Sequence, residues 1–189
     1  ISGNRAGGVG MGGDNNIVVG NYIGTDAAGT TALYYQNYGV VLSGRHNRVG
    51  GASPVERNVI SGNDIGIGIG SGGDNTSDNN IVSGNYIGTD AGGTVALGNK
   101  HGVEFDNNTY QNVIGGATAD ERNIISGNTI DGIYINGGDG NTITGNYLGT
   151  DAYGTGKLSN GNNGISITND AHQNVIGGSA AGQGNIIAY

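Results

Sequence analysis

The chain has 189 residues without cysteine or tryptophan, and its 34% hydrophobic content is too low for a conventional layered core. Its net charge of −8, with only seven Lys and Arg, argues against nucleic-acid binding, which needs a basic surface. It has no apolar run of 18 residues, so no membrane span is predicted. The lack of cysteine excludes disulfides and thiolate metal sites.

Two short patterns recur along the whole chain. The first is Gly-apolar-x-apolar, with copies in chain order at GVGM (8–11), GVVL (39–42), GIGI (66–69), GVEF (102–105), GIYI (132–135) and GISI (164–167). The second is Asn-x-Ile/Val-x-Gly, which includes NIVVG (16–20), NRVGG (47–51), NVISG (58–62), NIVSG (80–84), NVIGG (112–116), NIISG (123–127), NTITG (141–145) and NVIGG (174–178). Together they define a unit of about 31 residues that occurs six times, in alternating longer and shorter versions.

Each unit contains three short stretches in which apolar residues alternate with small or polar ones. Alternation over three to five residues between Gly and Asn is typical of strands joined by turns. Each strand can pair in parallel with its copy in the next unit, about 4.8 Å away. The sequence therefore predicts an all-β fold, a right-handed parallel β-helix of about six coils with three strands per coil.

The repeat also predicts which side chains fill the interior. Three inward columns are expected, formed by Val9, Val40, Ile67, Val103, Ile133 and Ile165, by Met11, Leu42, Ile69, Phe105, Ile135 and Ile167, and by Val18, Val49, Val82, Ile114, Ile143 and Ile176. The parity within the Gly-apolar-x-apolar strands stays open at this point. The recurring asparagines predict ladders of side-chain hydrogen bonds between coils.

With these units the chain resembles the right-handed parallel β-helix repeat proteins of the pectin-lyase-like superfamily. It is most similar to bacterial secreted and surface proteins that carry NVISGN and GNYIGTD units. The resemblance covers the whole chain and implies the fold. It is less specific for function, because the superfamily includes polysaccharide lyases, epimerases, glycosidases, tailspikes and adhesins.

The stretch GNYIGTDAAGT (20–30) recurs at 84–94 and 145–155 and contains Asp26, Asp90 and Asp151. A calcium ion needs six or more oxygen ligands, and copies two coils apart are about 10 Å apart by strand spacing. We therefore interpret these aspartates as turn-closing residues. No cofactor is expected, and calcium at these turns is the alternative.

Glu104, Asp106 and Tyr134 are the candidates for catalysis. The two carboxylates lie two residues apart on one predicted strand and therefore share a face, and Tyr134 follows one coil later. A lyase or epimerase of the superfamily would be expected to add a nearby Arg or Lys, and none aligns here. The chain is consequently expected not to be an enzyme.

Tyr34, Tyr35 and Tyr38 interrupt the repeat where the sister unit has Leu97-Gly98-Asn99. Exposed tyrosines stack on sugars or anchor interfaces, so these three are the candidates for carbohydrate or interface contact. Packing of the loop on the adjacent turn is the alternative.

Glu56-Arg57 and Glu121-Arg122 stand at equivalent positions, and the third copy reads Gln183-Gly184. The spacing predicts a surface ion pair within each dipeptide. The last repeat lacks it.

The chain is expected to form one β-helix domain over residues 1–189, with super-repeats at about 1–59, 60–124 and 125–186. It opens inside one motif and stops inside another, which favours either a piece of a longer solenoid or subunits that stack end to end. Ile1, Ile187 and Tyr189 would lie at such a junction.

These observations favour a structural or adhesive extracellular β-solenoid, a spacer, stalk or filament subunit of a bacterial secreted or cell-surface protein, with carbohydrate contact through tyrosines. Its partners would be other copies, neighbouring coils of a longer chain, or a polysaccharide. The alternative is a polysaccharide-acting lyase, epimerase or glycoside hydrolase.

Overall fold

The computed structural model describes residues 1–34, 36–70 and 77–189, and the regular structure there is almost entirely short β-strand. The first three coils contain β1 (Gly7–Met11), β2 (Ile17–Val18), β3 (Tyr22–Ile23), β4 (Gln36–Leu42), β5 (Arg48–Gly50), β6 (Val59–Ile60), β7 (Asn63–Ile69), β8 (Ser77–Asp78), β9 (Ile81–Ser83) and β10 (Tyr86–Ile87). The last three contain β11 (His101–Phe105), β12 (Thr109–Tyr110), β13 (Val113–Gly115), β14 (Ile124–Ile125), β15 (Ile133–Asn136), β16 (Thr142–Thr144), β17 (Tyr147–Leu148), β18 (Ile165–Thr168), β19 (Val175–Ile176) and β20 (Ile186–Ile187).

The strands form three six-stranded parallel sheets, to which each coil contributes one strand. Sheet 1 runs β1-β4-β7-β11-β15-β18, sheet 2 runs β2-β5-β9-β13-β16-β19, and sheet 3 runs β3-β6-β10-β14-β17-β20. A short pair, β8 with β12, lies at a corner. The predicted right-handed parallel β-helix of six coils is confirmed.

Helical structure is nearly absent from the described residues. They include one 3-10 turn, Pro54–Glu56, and no α-helix. Accordingly, the described part of the chain offers no helix with the length and apolarity needed to cross a membrane.

The interior is the one that the repeat predicts, and the parity of the sheet 1 strands is settled. In coils two to five the predicted columns are fully buried, from Val40 and Leu42 to Ile133 and Ile135. A fourth column lies on sheet 3, formed by Ile23, Ile60, Ile87, Ile125, Leu148 and Ile187. The sixth coil is covered on one side only, so Ile167 and Ile176 are 45% and 41% exposed.

Asparagine ladders follow all three corners of the solenoid, as predicted. The first consists of Asn16, Asn47, Asn80, Asn112, Asn141 and Asn174. The second consists of Asn21, Asn58, Asn85, Asn123, Asn146 and Asn185. The third consists of Asn4, Gln36, Asn63, Asn99, Asn128 and Asn160.

Within a ladder, most members make the same set of bonds. Asn85, for example, donates from its backbone N–H and from Nδ2 to Oδ1 of Asn123, and from Nδ2 to the carbonyl of Val49 in the coil before. Its own Oδ1 accepts from Asn58. A polar side chain that is 0% exposed is thus fully paired.

Candidate functional site

The three GTD loops use their aspartates to close turns, as predicted. Asp26 Oδ1 accepts from the backbone N–H of Thr30 at 2.8 Å, and Asp90 Oδ1 accepts from Thr94 and Val95 at 2.8 and 2.9 Å. Asp151 Oδ1 accepts from Thr155 at 3.0 Å. Backbone N–H groups, chiefly that of Thr30 for Asp26 and those of Gly156 and then Thr155 for Asp151, hold the pKa of both aspartates below the ordinary value, because hydrogen bonds to the charged form favour it.

Although the loops belong to alternate coils, they touch one another. The backbone N–H of Ala91 donates to the carbonyl of Gly29 at 2.9 Å, and that of Ala152 donates to Gly93 at 2.8 Å. The loops therefore form a continuous ridge, folded over the outer face of sheet 3. Among the described residues, no group of three or more His, Asp or Glu side chains is arranged to hold a metal ion.

Arginines at the neighbouring corner lie over the repeat tyrosines. The guanidinium of Arg57 is 4.2 Å from the ring centre of Tyr86, and that of Arg122 is 4.0 Å from the ring of Tyr147. The predicted ion pairs within Glu56-Arg57 and Glu121-Arg122 are wrong, since Glu56 pairs with Arg48 at 3.0 Å and Glu121 bonds to Thr118. The arginines face the next coil, where the aromatic ring shields them.

The tyrosine insertion is only partly outside the repeat. Gln36 takes the asparagine position of the third ladder, donating to Asn63 at 2.9 Å, so the extra residue of the insertion precedes it in the sequence. Tyr34 is 68% exposed and has a left-handed backbone with φ of 48°, which is rare for a bulky residue. Tyr38 is half-buried, and Tyr35 lies outside the described residues.

Tyr38 borders a groove on the outer face of sheet 1. The groove has a volume of about 380 Å³ and is lined by Ala6, Gly7, Val9, Gly10, Asn37, Tyr38 and Val41. Gly7 and Gly10 have no side chains, so the side chains of their strand neighbours Tyr38 and Val41 project past them and form one wall of the groove. Such a shallow apolar surface beside a tyrosine suits the face of a sugar ring.

The catalytic candidates lie farther along the same face. Glu104 and Tyr134 are neighbours in the register of β11 and β15, and Gly68 lies on the other side of Glu104. The Tyr134 hydroxyl accepts from the Thr168 hydroxyl at 3.3 Å. Burial raises the pKa of Glu104 above its ordinary value, and the charge of Asp106 adds to the shift.

A histidine and a buried aspartate join this group, and the sequence reading had missed both. The ring of His101 stacks on that of Tyr134, with centroids 5.1 Å apart. Its Nδ1 is 3.4 Å from Oδ2 of Asp131 but is not aligned for a hydrogen bond, and it has no hydrogen-bond partner among the described residues. Asp131 is 5% exposed and accepts from the backbone N–H and the Nδ2 of Asn163.

The charge state of this group follows from its surroundings. Burial lowers the pKa of His101, an effect that outweighs the opposing attraction of Asp131, and the nearby charge of Lys100 lowers it further. At neutral pH the imidazole is thus neutral, and Glu104 on the same strand holds its proton more tightly than an ordinary glutamate. The signal that could have found His101 was its position directly before the Gly-apolar-x-apolar strand that carries Glu104.

The two junction segments take equivalent positions in the coil. The carbonyl of Ile1 accepts from the backbone N–H of Gly24 at 2.8 Å, as that of Ile60 accepts from Gly88 at 3.0 Å. Ile1 therefore lies on the edge of sheet 3, beside β3. Ile187 occupies the same inward position in β20, paired with Leu148, and is 50% exposed. Tyr189 is 64% exposed, with Lys157 Nζ 5.8 Å from its ring centre.

Comparison of the chain with protein-family models, curated proteins and solved structures finds no match.

Proposed function

We propose that this chain is a structural or adhesive β-solenoid, a spacer, stalk or filament subunit that works outside the cell and contacts carbohydrate. One observation carries the proposal: the repeated polar residues are used to hold the coils together. The asparagines pair between coils, and the GTD aspartates close their own turns. A chain that repeats its scaffold residues six times gains length and stiffness.

The ladders suit a part that resists pulling or proteolysis. A buried asparagine whose donors and acceptors are all paired is costly to expose one group at a time, because each unpaired buried group costs about 1–3 kcal/mol. Neighbouring coils share these bonds, so opening one coil disturbs the next. This is the behaviour expected of a spacer between two attachment points.

The resemblance to β-helix repeat proteins of the pectin-lyase-like superfamily supports a bacterial secreted or surface location. The carbohydrate contact is supported by the exposed ring of Tyr34 and by the groove next to Tyr38. Val41 extends this apolar wall, and the Asn37 side chain supplies amide groups for sugar hydroxyls.

A pulling experiment tests the scaffold role. The chain is tethered at both ends and stretched, and we expect unfolding in steps of about 31 residues at forces that fall when Asn85 is replaced by alanine. A single low-force transition in both proteins would count against a mechanical role.

A glycan array tests the contact. We expect binding to acidic or neutral polysaccharides that Tyr38→Ala weakens at least ten-fold, whereas the exposed control Tyr153→Ala leaves it unchanged. Equal binding by the two variants, or none by the parent protein, would remove carbohydrate from the proposal.

The group on sheet 1 favours a second function, a polysaccharide-acting lyase, epimerase or hydrolase. The neutral imidazole of His101 can accept a proton, and the Glu104 carboxyl with its raised pKa can donate one; Tyr134 pairs with Glu104 in the register and its ring stacks on His101. Asp131, held by Asn163, lies close enough to His101 to orient it.

Incubation with uronic-acid polysaccharides, with and without calcium, tests this second function by release of unsaturated or shortened products. Activity that is lost in Glu104→Gln and His101→Ala, and kept in Asp120→Asn at an exposed turn, would favour the enzyme over the scaffold. No turnover by the parent protein on the full panel would leave the scaffold proposal standing and remove this one.

A further inference from the structure

Two arginines at the corner between sheets 2 and 3 are held by the same contacts, two coils apart. Nε of Arg57 donates to the carbonyl of Gly84 at 3.2 Å, and Nε of Arg122 donates to that of Gly145 at 3.1 Å. Each guanidinium also lies over a tyrosine ring of the following coil, 4.2 and 4.0 Å from the ring centre. One edge and one face of each guanidinium are therefore held in place by the protein.

The outer edge of each guanidinium is available to a ligand. Among the described residues, the Nη groups of Arg57 and Arg122 make no hydrogen bond and have no carboxylate within ion-pair distance. Both side chains are partly exposed. A planar fork of N–H donors that is already fixed loses little conformational freedom when it binds an anion. The two outer edges are thus preorganised for anionic groups.

The neighbouring glutamates do not use these outer edges, because each is paired with other groups. Glu56 pairs with Arg48 at 3.0 Å. Glu121 accepts from the backbone N–H groups of Ala117 and Thr118 and from the Thr118 hydroxyl. The side chains of Arg48 and Thr118 are the chief reason that the pKa of each carboxyl lies below its ordinary value. Both glutamates are therefore charged at neutral pH, and both are already bound.

The distance between the two arginines is set by the coil repeat. Arg57 precedes β6 and Arg122 precedes β14, and these strands are separated in sheet 3 by β10 alone. Because neighbouring strands are about 4.8 Å apart, the two arginine positions are about 10 Å apart along the solenoid. Gly84 lies between them, since it accepts from Arg57 and donates its N–H to the carbonyl of Glu121. It has no side chain that could separate a ligand from the two guanidiniums.

This interval suits an extended polysaccharide with one anionic group per disaccharide. Two sugar rings of such a chain span about the same distance as two coils, so successive anionic groups can reach both arginines. A guanidinium binds a carboxylate or a similar oxyanion through two parallel N–H···O bonds. The net charge of −8 opposes a polyanion, but charges more than about 8 Å away are largely screened at physiological salt. The nearest groups, which are the two arginines, then dominate the interaction.

We infer that Arg57 and Arg122 form a two-point binding site for an anionic polysaccharide with one charged group per disaccharide, which lies along the solenoid axis across coils two to four. This rests on the carbohydrate contact proposed above and names the chemical class of that carbohydrate. The site is at the corner of sheets 2 and 3 and is distinct from the Tyr38 groove on sheet 1. One exposed ion pair contributes little, so the affinity comes from both contacts made by one chain.

The test compares the binding of two oligosaccharides to the 189-residue chain at physiological salt by fluorescence anisotropy. A disaccharide with one carboxylate reaches one arginine, and a tetrasaccharide of the same repeat reaches both. We expect the parent chain to bind the tetrasaccharide at least about ten-fold more tightly, because the second contact is intramolecular. Arg57→Gln and Arg122→Gln should each lower this ratio to about two, the value for two equivalent groups that compete for one arginine.

Three controls accompany these variants. Lys157→Gln removes the same charge from an exposed position elsewhere and should keep the ratio of the parent chain. A tetrasaccharide whose carboxyl groups are reduced to alcohols should bind equally to the parent chain and to both arginine variants. A sulfated tetrasaccharide of the same spacing is measured in parallel, and the tighter of the two charged ligands identifies the preferred anion. Circular dichroism confirms that each variant is folded.

Two results would overturn the inference: a parent chain that gains no affinity from the longer ligand, or a gain that persists in both arginine variants. Tyr38→Ala distinguishes this failure from failure of the groove contact. Glycan binding that is weakened by Tyr38→Ala and by neither arginine variant would keep the contact at the groove and remove this site. Binding that is weakened only by the arginine variants would keep this site and remove the contact at the groove.

Discussion

The same six coils form the corners of this solenoid and the outer face of sheet 1, but the side chains at these two places have different roles. At the corners nearly every coil repeats one asparagine, and each asparagine bonds to the coils before and after it. On the outer face of sheet 1 the equivalent residues change from coil to coil: Val41, Gly68, Glu104, Tyr134 and Ser166 stand in one column. Uniform positions hold the fold, and variable positions are where recognition or chemistry can arise.

A single strand makes the contrast testable. In β11 the side chain of Phe105 is fully buried and that of Glu104 points outward. Phe105→Ala should cost about 4 kcal/mol of unfolding free energy, because it removes the largest core side chain and leaves a cavity. Urea denaturation measures the loss, and Val95→Ala, at a position 55% exposed, should change stability by less than about 0.5 kcal/mol. Similar losses for the two variants would mean that the interior column does not carry the fold.

The ladders should show the next largest effect. Asn85→Ala leaves the N–H groups of Asn58 and the carbonyl of Val49 without partners inside the solenoid, so we expect a loss of about 3 kcal/mol. Asn21→Ala, at the first coil, removes bonds that water can replace and should cost less than about 1 kcal/mol. Chemical denaturation of both variants measures their unfolding free energies. Equal losses of stability would show that the position of an asparagine along its ladder does not matter.

The repeat made the fold predictable, because a fixed spacing sets both the register and the inward parity. The Asp90 turn was also predictable, since its partners Thr94 and Val95 are near in sequence. The repeat also places His101 beside Asp131, because each lies directly before its Gly-apolar-x-apolar strand. The burial of Asp131 and the Nδ1 of His101, which is unpaired among the described residues, could not be predicted, because they depend on how the surrounding side chains pack.

A smaller effect is expected where an arginine of one coil lies over a tyrosine of the next coil. Arg122→Ala removes the guanidinium above Tyr147 and the Nε bond to the carbonyl of Gly145, and should cost about 1 kcal/mol. Arg122→Lys should recover only part of it, because lysine lacks the planar group. Thermal unfolding of both variants checks this, with Arg5→Ala at an exposed position as the control. A lysine variant as stable as the parent would show that charge alone is sufficient.

The smallest effect concerns the outer face and depends on pH. The raised pKa of Glu104 means that the folded protein holds this proton more tightly than the unfolded chain, whose pKa is near 4.5. Its contribution is therefore most favourable below that value and is lost as pH rises through the folded pKa. Glu104→Gln should match the parent protein most closely in stability near pH 4 and exceed it at neutral pH. His101 titrates in both proteins and largely cancels in the difference. The unfolding free energies of the two proteins are measured at both pH values. If the difference between Glu104→Gln and the parent does not change with pH, Glu104 is not desolvated, and the outer face loses its candidate acid.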